Sequence, residues 1–275
     1  MFVHRRMMAR DPGRPVKSIH TCFDVVEFLL AADGGSLREV ADGVGIARST
    51  AHNHLTTLVD RGYVRKEGET YRVGLGFLKL GEHARTAGLP YEAIREAVRD
   101  LATETGEEAD FTVLENGRLV SIHHEVDGEN AAGHLAGSTF HLHATAAGKA
   151  ILAELPDDRV ESILDDRGMP AITEHTITDR DELFADLELT RDRGFAVNDR
   201  EYMEGYRSVA AAVRTSHGGL PGALCVGGPM YRNDPAVLTG PVADALLERV
   251  AAFESTGRPT AFPNRDWEHH FTTVE

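Results

Sequence analysis

Between Ser36 and Gly74 the chain has little freedom in what it can fold into. Ser36-Leu37-Arg38-Glu39 has the form of a capping box, in which a serine side chain and a glutamate three residues on satisfy each other's free backbone N–H groups. A short helix is expected from Leu37 to Asp42, with Leu37, Val40 and Ala41 on one face, and Gly43 and Gly45 mark a turn. A second helix is expected from about Ala47 to Arg61, because Ala51, Leu55, Leu58 and Val59 recur at helical spacing. Its other face carries Arg48, Ser49, Thr50, His52, Asn53 and Thr56, donors and acceptors able to meet base edges and phosphates in a major groove. Arg61-Gly62-Tyr63-Val64-Arg65, Lys66-Glu67-Gly68-Glu69-Thr70 and Tyr71-Arg72-Val73 then read as strand, turn, strand: a β-wing, with Arg65 a further candidate DNA contact. A helical hairpin followed by a β-hairpin within some other α/β domain would share these elements. The capping box, glycines, polar face and wing in this one order favour a winged helix-turn-helix.

Charge is divided in the same way. The chain carries a net charge of −15, yet residues 1–89 hold 13 basic and 10 acidic side chains, and the remainder 16 and 34. A basic front on an acidic body is expected of a nucleic-acid reader joined to a domain that does not touch DNA. Arg5, Arg6, Arg10, Arg14 and Lys17 lie in a Pro/Gly-containing leader that reads equally as a phosphate-tracking arm or as an idle tail. Only Lys17, Lys66, Lys79 and Lys149 are lysines, the other 25 cations being arginine, a balance that suits a high-salt habitat or simply a high-GC genome.

With 275 residues, 41% of them hydrophobic, the chain is long enough for two domains. No apolar run approaches the ~20 residues that span a bilayer, and the start has no apolar core of a secretory signal. Cys22 and Cys225 stand far apart and outside any paired-cysteine motif, which points to a reducing cytoplasm.

The expected fold class is α+β. A basic leader covers 1–16, the winged domain 17–74, a linker helix 75–89, an α/β effector-binding and oligomerisation domain 90–257, and a tail 258–275. In the first helix, Ser18 to Ala32, the stripe of Ile19, Phe23, Val26 and Leu30 is expected to be core. The helix from Leu75 to about Thr86 is a candidate dimer contact. Beyond it, a helix at 91–105 precedes strands at 109–114 and 118–126 joined by Glu115-Asn116-Gly117, a strong hairpin signal. Helices are expected at about 145–155, 158–164, 180–193 and 241–255, and strands at 195–198, 208–214 and 222–226.

Three segments resemble the IclR family of transcriptional regulators, and the resemblance spans about Val16 to Phe253. The first is Gly45-Ile46-Ala47-Arg48-Ser49-Thr50 with Leu55, Leu58 and Gly62-Tyr63-Val64. The second is His143-Ala144-Thr145-Ala146-Ala147-Gly148-Lys149-Ala150. The third is Arg193-Gly194-Phe195-Ala196 with Asp199, Glu201, Gly205, Ser208-Val209-Ala210-Ala211 and Val226-Gly227-Gly228-Pro229. The resemblance implies a winged-helix DNA-binding domain, a linker helix, a GAF-like effector domain, and assembly as a homodimer or homotetramer. Asn53 stands where the family usually has arginine, so operator preference does not carry over; Ser208 stands where a cysteine is frequent.

Thr145 is a suitable N-cap, and the N–H groups of Ala146, Ala147 and Gly148 would then leave the helix start unobstructed, a place for a carboxylate. The resemblance places Ala146, Ala147, Asp199, Ser208, Cys225 and Gly227 around the effector pocket. Asp199 would accept from an effector hydroxyl, with Phe140 as an apolar wall. Together these favour a sugar acid or other small carboxylate. Lys149 lacks the glycine spacing and following Ser/Thr of a phosphate loop, and Gly74-Leu75-Gly76 is no dinucleotide fingerprint. His123, His124, His141 and His143 are read as ordinary histidines rather than metal ligands, and no cofactor or catalytic group is expected. The partners expected are operator DNA, a small effector and further copies of the chain, with no membrane. Two other readings remain: an enzyme with a winged-helix partner module, and an architectural DNA-binding protein without a ligand.

Overall fold

A computed structural model describes residues 15–86, 89–126, 136–214 and 222–255. The basic leader up to residue 14 and the tail from 258 lie outside the described residues. The chain divides into two compact units, with the division at residues 87 and 88.

The first unit runs α1 (Lys17–Ala31), β1 (Gly35–Ser36), α2 (Leu37–Val44), α3 (Arg48–Asp60), β2 (Val64–Glu67), β3 (Thr70–Val73) and α4 (Gly76–Thr86). The capping box forms: Ser36 N–H donates to Glu39 Oε2 at 2.8 Å, and Glu39 N–H donates to Ser36 Oγ at 3.3 Å. Gly45 ends α2 in the left-handed region, φ +71°. Ala51, Leu55 and Leu58 of α3 bury against Val25, Leu29, Val40, Val64 and Tyr71. Each fully buried leucine contributes roughly 1.5–3 kcal/mol. The wing is a tight antiparallel hairpin with Glu67 opposite Thr70, and β1 adds a third strand beside β3 that sequence reasoning did not foresee.

Three expectations about this unit need correction. Gly43 is not in the turn but inside α2, where a Cβ would sit 2.1 Å from the Phe28 ring. Val59 faces solvent. The α1 stripe is not core: Ile19, Phe23 and Leu30 are 55%, 58% and 67% exposed, whereas Val25 and Leu29 are buried. α1 carries two apolar faces, and the 3.6-residue period marks both without saying which one the domain uses.

The second unit runs α5 (Tyr91–Thr105), β4 (Glu108–Glu115), β5 (Arg118–Glu125), β6 (Thr139–Phe140), α6 (Ala146–Ala153), α7 (Asp157–Arg167), α8 (Arg180–Arg193), β7 (Ala196–Asp199), β8 (Tyr206–Val213), β9 (Gly222–Pro229), a short α9 (Pro235–Val237) and α10 (Ala243–Ser255). Its six strands form an antiparallel sheet in the order β6-β5-β4-β9-β8-β7. Asn116 and Gly117, both at positive φ, make the tight β4–β5 turn. Period-two alternation splits the sheet into two faces. Ala109, Phe111, Val113, Val209, Leu224 and Val226 pack with α5 and α10. Ala196, Ala210, Ala223 and Cys225 pack with α6, α7 and α8. A β-bulge at Ile122 breaks the β4–β5 register: Phe111 pairs with His123, but Thr112 pairs with Ser121. Among the described residues, no helix is long and apolar enough to cross a membrane.

Candidate functional site

In the first unit, Arg48, Ser49, Thr50, His52, Asn53 and Thr56 are all exposed on α3, opposite its buried Ala51-Leu55-Leu58 stripe. Ala47, at the N-cap, supplies no side-chain cap, so the first N–H groups of α3 are free to meet an anion. Arg65 projects from the wing and pairs with Glu67 at 2.7 Å, both side chains more than half exposed. An exposed pair of this kind holds the side chain weakly, so a phosphate can replace the glutamate.

In the second unit, a cavity of about 400 Å³ opens on the sheet face that carries α6. Ala146, Ala147, Ser208 and Cys225 line it, and so does Phe140. Thr145 caps α6, its Oγ accepting from Gly148 N–H at 3.2 Å. The N–H groups of Ala146 and Ala147, at the first helical positions, have no intrahelical acceptor.

Three expected residues stand outside this cavity. Gly148 has spent its N–H on Thr145, and a Cβ there would lie 2.2 Å from the Leu142 carbonyl oxygen. Gly227 lets β9 close on β8, where a Cβ would meet Arg207 O and Ser208 Cβ at 2.4 Å. Asp199 turns to the other side of its strand, accepting from Arg207 Nε at 2.7 Å and Arg200 Nε at 3.0 Å. Partial burial pushes its carboxyl up, but the two arginines outweigh this and hold it below the usual range. Its neighbour Asn198 faces the cavity instead. The signal was available: Ala196 is core, and Asn198 shares its face.

Asn198 also fixes part of the wall. Its Oδ1 accepts from the N–H groups of Glu201 at 2.9 Å and Tyr202 at 3.4 Å, and its Nδ2 donates to Ser208 Oγ at 3.3 Å. Glu201 is anchored in turn by Lys149, 1% exposed, whose Nζ lies 2.7 Å from Glu201 and 2.8 Å from Asp186. Burial raises the Glu201 carboxyl against the pull of Lys149. The turn carrying the cavity residues Tyr202 and Met203 is therefore tied to α6 and α8.

Sequence reasoning missed the β4 side of the cavity, where Asp110 and Thr112 line it with Leu119, Ser138, Thr139 and Tyr206. Asp110 lies opposite Cys225 on β9 and His124 on β5. Burial pushes its carboxyl up to about 6, despite the opposing effects of His124 and a hydrogen bond from Cys225. Burial and Asp110 together raise the Cys225 thiol, making it a poor nucleophile. Of the histidine pair, His141 and His143 stack edge to face at 5.7 Å, and His143 Nε2 bonds the Pro170 carbonyl at 3.0 Å.

Two family descriptions match this chain. "Bacterial transcriptional regulator IclR C-terminal" covers residues 91–251, and "IclR helix-turn-helix domain" covers residues 22–68. The chain belongs to the IclR family of transcriptional regulators. The transcriptional repressor IclR of Escherichia coli is 30% identical, over 79% of this chain and 81% of that protein. The probable HTH-type transcriptional regulator ArcR of Halobacterium salinarum is 28% identical, over 90% of this chain and 96% of that protein. A crystal structure of a regulator from Rhodococcus superimposes with TM-score 0.75 at 28% identity, over 88% of this chain and 98% of its own. A Microbacterium hydrocarbonoxydans IclR homolog complexed with 4-hydroxybenzoate shares the fold, with TM-score 0.71 at 18% identity, over 88% and 99%. Membership of the IclR family makes the chain a transcriptional regulator with a helix-turn-helix DNA-binding domain and sets aside the enzyme reading.

Proposed function

We propose that α3 is the recognition helix, that Arg48, Ser49, Thr50, His52 and Asn53 read the operator, and that Arg65 of the wing holds phosphate. The exposure of all six side chains supports this reading. The regulator acts in the cytoplasm as a homodimer or homotetramer and controls catabolic genes. The exposed apolar face of α1 (Ile19, Phe23, Leu30), with Leu75, Leu78 and Leu80 at α4, supports self-association. Two recognition helices about 34 Å apart, or a multiple, would meet successive major grooves.

The effector is a small carboxylate, bound in the 400 Å³ cavity with its carboxylate on the free N–H groups of Ala146 and Ala147. The observation that carries this reading is the start of α6, buried and unobstructed at the cavity wall. The 4-hydroxybenzoate complex of the Microbacterium homolog, itself a small carboxylate, supports the class. Effector and operator are coupled by roughly 1–3 kcal/mol, the usual scale for such linkage. The test is a fluorescence-anisotropy titration of the DNA upstream of the gene, at several salt concentrations, with sugar acids, 2-oxo acids and aromatic acids. Saturable, sequence-dependent binding shifted by one of these acids is expected. Binding that ignores both sequence and every acid would favour the architectural reading.

A further inference from the structure

The cavity is lined from two sides by different chemistry. At α6 it offers backbone N–H groups. At the sheet it offers a row of polar side chains crossing four strands on one face, Asn198 on β7, Ser208 on β8, Cys225 on β9 and Asp110 on β4, with His124 of β5 paired opposite Asp110. The hydrogen bonds along the row run in one direction. Asn198 Nδ2 donates to Ser208 Oγ, Ser208 donates to Cys225, and the Cys225 thiol donates to Asp110. Asp110 is the terminal acceptor. A carboxylate has about four acceptor sites, and a thiol is a weak donor, so Asp110 is under-supplied. Beside it, Thr112 is 1% exposed and lines the same cavity, and its Oγ has no hydrogen-bond partner among the described residues. Among the described residues lining the cavity there is no lysine or arginine, and Glu108 lies two residues from Asp110 on the same face. A second anionic group of a ligand would be repelled there, whereas a hydroxyl would satisfy both Asp110 and Thr112. By strand spacing, β4 stands roughly 9–10 Å across the sheet from β8, enough to separate two functional groups of one small molecule.

We propose that Asp110 is a specificity-determining residue of the effector site: its carboxylate accepts a hydrogen bond from an effector hydroxyl, so the pocket selects hydroxylated acids over their deoxy counterparts. The proposal takes the carboxylate class from the function proposed above and adds the second recognition point. Losing a hydrogen bond to a charged group costs about ten- to a hundredfold in affinity. The preference also has a pH signature. Burial pushes the Asp110 carboxyl up to about 6, so the acceptor is charged above that pH and neutralised below it. His124, Glu108, Cys225 and Tyr206 also face Asp110, so the signature is read as the difference between wild type and Asp110→Asn.

The experiment is calorimetric titration of the full chain with matched pairs: 4-hydroxybenzoate and benzoate, gluconate and hexanoate, glycerate and propionate. Neutral glycerol and erythritol are run beside them. Wild type, Asp110→Asn and Asp110→Leu are compared from pH 5 to 8, each variant first shown by its thermal transition to be folded. At least one hydroxylated acid is expected to bind about tenfold or more tighter than its partner in wild type. That margin should shrink below pH 6, shrink in Asp110→Asn and vanish in Asp110→Leu. Equal binding within every pair, or a margin that persists in Asp110→Leu, overturns the proposal. If polyols bind in an Asp110-dependent way while no acid binds, the carboxylate reading falls and the role of Asp110 stands. If neither class binds, both fall.

Discussion

Asp110 links stability to recognition. Its folded-state carboxyl is raised to about 6, so between its ordinary value near 4 and pH 6 the folded protein holds a proton that the unfolded chain has released. Stability from this group is therefore fully present below about pH 4 and lost as pH rises through 6. The loss is up to about 3 kcal/mol for a two-unit shift. Asp110→Asn should melt several degrees above wild type at pH 7.5, with the gap closing towards pH 4. A gap independent of pH would show that Asp110 does not titrate as its burial implies. Gly148 sets a second test. In an exposed helix, Gly→Ala gains about 1 kcal/mol. Here the new Cβ would lie 2.2 Å from the Leu142 carbonyl oxygen, a backbone atom that cannot swing aside. Overpacking costs about 1–3 kcal/mol or more, so Gly148→Ala should lower the Tm; a raised Tm would mean that the Leu142 turn gives way easily.

On α3, the two kinds of contact predict different losses. Asn53→Ala should cost about 1–3 kcal/mol of operator affinity and relax the preference at one base pair. Arg48→Ala should weaken all sequences alike and reduce the salt slope by about 1 if its partner is a phosphate. Neither should change effector affinity, measured by calorimetry. α2 and its cap were legible because every determinant lies within four residues: Ser36 and Glu39 form the capping box read from the sequence. The wing was legible from its glycine-marked turn. The strands of the second unit were placed by alternation, but alternation assigns faces, not what covers them. Asp110 and Thr112 alternate with Ala109, Phe111 and Val113, so from sequence they look like the solvent side of a strand. Only the packing of α6 across that face makes them cavity walls. Asp199 differs in kind: the resemblance places it at the pocket, whereas alternation from the core residue Ala196 points to Asn198. Asp199→Ala should leave effector affinity unchanged, whereas Asn198→Ala, which releases Glu201, Tyr202 and Ser208 together, should weaken it.

At the scale of the whole molecule, the two apolar faces of α1 decide assembly. The buried one builds the domain; the exposed one, with the leucines at α4, is the surface on which the self-association proposed above rests. A Phe23→Asp/Leu30→Asp double substitution changes no buried side chain. It should shift the sedimentation coefficient towards the monomer and weaken operator binding without altering the thermal transition of the second unit. An unchanged sedimentation profile would place self-association elsewhere. The charge division bears on the salt response: the positive front and strongly acidic remainder should give operator binding that falls steeply with salt.

The bulge at Ile122 has an evolutionary consequence. It is the extra residue that brings His124, rather than His123, opposite Asp110 while leaving Ser121 opposite Thr112. Deleting that residue would restore strict alternation with every strand pairing kept, so His124 would still stand opposite Asp110 and Ser121 opposite Thr112. A lineage can thus gain or lose one codon at this point without changing which side chains β5 sets beside Asp110 and Thr112, a length change the sheet is already built to absorb.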